Sequence, residues 1–63
     1  MGVHFVMFPI DGGQSHVAVN PVLVRCVQPK NASQAEIHFD DRHRLTVDKT
    51  MEQVVRDLEI AGR

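Results

Sequence analysis

The apolar residues of this chain change their spacing once, near residue 50, and few folds survive that constraint. Before that point apolar and polar positions mostly alternate; beyond it Met51, Val54, Val55, Leu58 and Ala61 recur every three or four residues. A period of two lines one face of a strand, and a period near 3.6 lines one face of a helix. The chain therefore reads as a strand-rich body closed by one helix. With 63 residues it has room for a single domain, and a chain this short buries only about 60% of its unfolded surface. The expectation is one small domain, 1–63, of class α+β and mainly β. It has about five short antiparallel strands in a curled sheet or small half-barrel, then a C-terminal amphipathic helix.

Ten valines, three isoleucines and three phenylalanines supply the β-branched and aromatic side chains that suit a pleated sheet. Strands are expected over about 3–8, 16–19, 22–27, 34–39 and 44–47. Pro9 with Asp11-Gly12-Gly13-Gln14 reads as a hairpin turn. Asn20-Pro21 ends the second strand, because proline lacks the donor that a central ladder needs. Gln28 to Ser33 is the next polar turn, and Asp40-Asp41-Arg42-His43 leads into the last strand. The helix is expected over about 50–61. Thr50 with Gln53 three positions on matches a capping box, Asp48 is the competing N-cap, and Gly62 is the terminator.

The first strand sets Val3, Phe5 and Met7 on one face and Val6 and Phe8 on the other. The third sets Val22, Val24 and Cys26 against Leu23 and Val27. Val3, Phe5, Met7, Val17, Val19, Val24, Ile37, Phe39, Leu45, Val47, Val54, Val55 and Leu58 are assigned to the core, and Leu58→Asp is expected to unfold the chain. One short helix covers one face of such a sheet, so the face carrying Val6, Phe8, Leu23 and Val27 needs either curling or a second subunit. These four residues form the expected protein interface. Self-association fits the size as well: with Cys26 the one cysteine, no intrachain disulfide staples the fold, and small domains commonly turn to partners instead.

Candidates for chemistry are sparse. His4, His16, His38 and His43 invite a metal, and His4 and His16 fall across from each other in the hairpin, but no pair has the spacing of a helical or strand ligand set. Cys26, within a valine-rich strand, reads as a small buried hydrophobe. Asp40-Asp41 reads as turn chemistry, and Asp11-Gly12-Gly13 lacks the pattern of a phosphate loop. No catalytic residue, cofactor or metal site is assigned, and the chain is expected to be non-enzymatic. Seven basic against eight acidic residues give a net charge of −1, which removes the strong electrostatic case for nucleic acid. Arg25, Lys30, Arg42, Arg44 and Lys49 remain as a basic edge that an oligomer multiplies into a surface for RNA or DNA, the second reading. A small-ligand or metal site at a subunit boundary is the third. No apolar run approaches the roughly 18 residues of a membrane span, and the opening Met-Gly-Val-His has no signal-peptide pattern, so a cytoplasmic setting is expected.

The succession Asp11-Gly12, Val19-Asn20, Val22-Leu23-Val24, Val27-Gln28-Pro29, Ile37-His38-Phe39, Leu45-Thr46-Val47 and Thr50-Met51-Glu52-Gln53-Val54 resembles the FlbD-like family of small bacterial flagellar and swarming-motility proteins. The resemblance covers nearly the whole chain. It departs at Asp11-Gly12-Gly13-Gln14, which lengthens the first turn, and at Asp40-Asp41-Arg42-His43, which replaces a glycine-centred one. It implies an accessory or regulatory role in motility and carries over no catalytic residues. The same order of strands and helix is similar to that of CsrA-like RNA-binding dimers and LytTR-type DNA-binding domains.

Overall fold

The structure, a computed structural model, describes residues 4–40 and 42–61. Val3, Asp41 and Gly62, which carried a core assignment, part of a turn and a helix stop, lie outside the described residues. The observed elements are β1 (Val6–Ile10), β2 (Ser15–Val19), β3 (Cys26–Pro29), β4 (Ala35–His38), β5 (Arg44–Val47) and α1 (Met51–Ala61). β1 and β2 form an antiparallel hairpin; β3, β4 and β5 form a three-stranded antiparallel sheet in that order. The two sheets are linked where the Asp48 N–H donates to the Pro9 carbonyl at 2.8 Å. The fold is α+β and mainly β, as the spacing predicts, with the strands divided between two sheets.

The hairpin turn needs backbone that most side chains resist. Asp11, Gly12 and Gly13 all have positive φ, at 54°, 66° and 86°, so the glycines sit where the absence of a Cβ counts. The turn also sets the register, with Val6 opposite Val19 and Phe8 opposite Val17. That register corrects the face assigned to the first strand. In β2 the valines point inward while His16 and Ala18 are exposed, so Val6, Phe8 and Ile10 share the inner face. Phe8 is fully buried, whereas Phe5 and Met7, expected in the core, are 60% and 57% exposed. Pro9 does not end β1 but lies within it, opposite His16.

The third strand begins later than expected. Pro21–Leu23 form a short 3₁₀ turn in which the Asn20 side chain accepts from the Val22 N–H at 3.0 Å. The Asn20 carbonyl accepts from the Leu23 N–H at 3.1 Å. Asparagine before proline is a strong turn opener, and here it overrides the strand preference of Val22, Leu23 and Val24. β3 then runs on through Pro29, tolerable because β3 is an edge strand. Cys26, expected buried, is exposed: it lies opposite His38 on the outer face of the sheet, while Val27 takes the inner one.

The core consists of Phe8, Val19, Ala35, Ile37, Val47 and Val54, with Val6, Ile10, Val17, Val24, Val27, Phe39, Leu45, Met51 and Leu58 packed around it. Full burial of side chains such as Phe8, Ile37, Val47 and Val54 stabilises by about 1.5–3 kcal/mol each. The helix contributes Val54, Met51 and Leu58 to this core; Val55, assigned to it from the sequence, is 38% exposed. The capping box is present in both directions. Gln53 N–H donates to Thr50 Oγ1 and Thr50 N–H donates to Gln53 Oε1, each at 3.3 Å. Asp48 does not cap the helix. Its carboxylate accepts from Gln34 Nε2 at 2.7 Å and from the Gly13 N–H at 3.2 Å, tying the hairpin tip to the three-stranded sheet.

Candidate functional site

Where the β1–β2 hairpin meets the turn between β4 and β5, the two sheets leave an open cleft of about 460 Å³. Its wall is built from Val17 and Val19 of β2 and from Phe39 and Leu45 of the larger sheet, with Phe5 and Leu23 on its rim. The opposite wall is shaped by the β4–β5 turn. Phe39 N–H donates to the His43 carbonyl at 2.8 Å, His43 N–H donates to the Asp40 carbonyl at 3.2 Å, and Arg42 takes a positive φ of 61°. The His43 ring is thereby laid against Phe39, centroids 5.2 Å apart and tilted by 35°. The polar residues that line the cleft are Asn20, Asp40 and His43. Phe5 and Leu23 are each 60% exposed. An apolar cleft flanked by projecting apolar side chains is the kind of surface that marks recognition of another apolar group.

The four residues expected at an interface do not share one face. Phe8 is fully buried, so it is unavailable to a partner, and Val6 and Val27 pack against the core. Leu23 alone projects, and it does so from the 3₁₀ turn rather than from a strand. Phe5 is the rim residue the alternation argument misplaced. Extending the first strand through Pro9 to Ile10 reveals it, since Val6, Phe8 and Ile10 then form the apolar set and Phe5 falls outside.

The five basic candidates are dispersed. Arg25 pairs with Asp40 at 3.3 Å, both side chains more than 70% exposed, a contact worth at most about 1 kcal/mol. Lys49 is half-buried, with Nζ 2.7 Å from Asp57 Oδ2 and 5.9 Å from the centre of the Phe8 ring, which makes it part of the packing between β1 and α1. Arg44 lies opposite His38, and Lys30 Nζ donates to Thr46 Oγ1 at 3.4 Å, so these two share the outer face of the larger sheet. Glu36 stands on that face as well, which dilutes its positive charge. Arg42 is exposed on the β4–β5 turn.

The histidines are likewise apart. His16 lies opposite Pro9 rather than opposite His4. His38 Nε2 is 3.4 Å from Glu36 Oε1, near enough for an ion pair when protonated, but its direction does not make a hydrogen bond. Among the described residues, no three His, Cys, Asp or Glu side chains come together in a metal-binding group, and no helix is long and apolar enough to cross a membrane.

No family model, curated protein or solved structure matches the chain.

Proposed function

We propose that this protein is a non-enzymatic interaction module that self-associates through the apolar cleft, acting as an accessory or regulatory protein in the cytoplasm. The observation that carries the reading is the placing of Phe5 and Leu23, each 60% exposed, beside a cleft lined by Val17, Val19, Phe39 and Leu45. A projecting group next to a matching hollow is self-complementary: a two-fold axis sets the projection of each copy into the hollow of the other. The marginal core of so short a chain favours such a partner. The resemblance to FlbD-like proteins adds motility as the setting of this role. The nucleic-acid reading draws less support, because Arg25 and Lys49 are engaged with carboxylates and Lys30 and Arg44 share their face with Glu36.

The test is the solution mass by light scattering across a dilution series, for the natural chain and for Leu23→Asp. Leu23 is exposed, so the variant keeps its fold. The expected result is a dimer for the natural chain and a monomer for the variant. A natural chain that stays monomeric at every concentration overturns the proposal.

A further inference from the structure

Among the described residues each sheet has two edge strands, β1 and β2 in one and β3 and β5 in the other. β1 and β5 meet through the Asp48–Pro9 bond, and the edges at β2 and β3 differ in a way that bears on how two copies meet. β2 pairs with β1 alone, and β3 pairs with β4 alone, among the described residues. Exposed edges are templates for pairing with another chain, and proteins guard them with charges, prolines, bulges or covering segments. β3 is guarded: Pro29 lies in it, and the exposed Arg25 and Lys30 flank it. β2, with the sequence Ser-His-Val-Ala-Val, has no Lys, Arg, Asp, Glu or Pro, and it pairs with β1 residue for residue without a bulge.

The backbone groups that β2 presents follow from Pro9. Proline has no N–H, and the Pro9 carbonyl accepts from Asp48 N–H at 2.8 Å, so it turns toward β5 and away from β2. The pair Pro9–His16 is therefore a non-hydrogen-bonded one. Antiparallel pairs alternate, so Val17 and Val19 exchange hydrogen bonds with β1, and the N–H and C=O groups of His16 and Ala18 point out from the free edge. Val17 and Val19 face the cleft from the same strand.

We propose that β2 pairs antiparallel with β2 of a second copy, about a two-fold axis through Val17. His16 then stands opposite Ala18 of the second copy, and Ala18 opposite its His16, so the four outward backbone groups of each strand find partners. Two features argue for a second copy as the occupant. The edge is uncharged, so pairing it with itself sets no like charges opposite one another, which would destabilise the contact. Two valines also meet on the axis, on the cleft side, where β-branched neighbours pack well. The hairpin gains by it: a two-stranded ribbon is marginal alone, and the pairing places it in a four-stranded sheet. This rests on the self-association proposed above and specifies its geometry.

The experiment is amide hydrogen exchange on the natural chain, at concentrations above and below dimer dissociation, together with the mass of Ala18→Pro. Ala18 is exposed, and its N–H is not used within the chain, so the substitution removes an intermolecular donor alone. The expected result is that the His16 and Ala18 amides are protected in the concentrated protein and lose protection on dilution, while Ala18→Pro is a folded monomer. Should that variant fail to fold, the two amides of the natural chain decide the matter. A dimer whose His16 and Ala18 amides exchange rapidly overturns strand pairing and leaves assembly through Phe5 and Leu23 standing. A natural chain that is monomeric throughout overturns both.

Discussion

Gln34 and Asp48, which flank the paired strands β4 and β5 at one end of the larger sheet, are joined by one short hydrogen bond, Gln34 Nε2 donating to Asp48 Oδ1 at 2.7 Å. Because the second carboxylate oxygen accepts from the Gly13 N–H, this pair also anchors the tip of the hairpin. The Gln34 bond, with help from the Gly12 and Gly13 amides and against some desolvation, lowers the Asp48 pKa below its ordinary 3.8. A carboxylate whose pKa is depressed by folding stabilises the fold above its unfolded pKa, and the contribution is lost as pH falls through the folded value. The natural chain should therefore be less stable in acid than Asp48→Ala would suggest from its own pH profile. At neutral pH, Asp48→Ala lowers the midpoint of thermal unfolding; as pH falls from above the unfolded pKa through the folded one, the difference between the two proteins shrinks. A constant difference across that range would show that the carboxylate charge does not support the link.

The reciprocal cap between Thr50 and Gln53 makes a second prediction. Thr50→Ala leaves the Gln53 N–H without its acceptor and costs about 1 kcal/mol of stability. Urea unfolding followed by circular dichroism measures it, and an unchanged midpoint would show that the helix start is held by packing alone.

The face of β1 is tested by neighbours in sequence. Phe8→Ala removes a fully buried ring and should cost about 3–5 kcal/mol, enough to unfold a domain of this size. Met7→Ser, one residue away on the exposed face, should change stability by no more than about 0.5 kcal/mol. Comparable losses in the two variants would reverse the assignment of faces.

Cys26 gives a test that needs no substitution. Exposed at the sheet edge, its thiol should react with an aromatic disulfide reagent in the folded protein at a rate that denaturant raises little. A thiol that reacts only after unfolding would place Cys26 inside.

The sequence by itself determined the kinds of element and most of their order. β5 and α1 lie where the spacing puts them, because Leu45 and Val47 alternate cleanly and the Thr50–Gln53 cap marks the helix start within four residues. β4 differs by one residue at each end for the same local reasons. The faces of the first and third strands were not legible, and the interface assigned to Val6, Phe8, Leu23 and Val27 went with them. From Phe5 into β1, successive residues up to Phe8 are all apolar, so alternation offers two equivalent answers, and only pairing with Val17 and Val19 across the turn selects Phe8 as core. In the Asn20–Arg25 segment a local turn competed with strand propensity, and the hydrogen bonds of Asn20 decided it. The cleft lies further still from the sequence. It exists because Asp48 draws the hairpin to one end of the larger sheet and leaves the other end open, a distance relationship among residues far apart in the chain that no local pattern encodes.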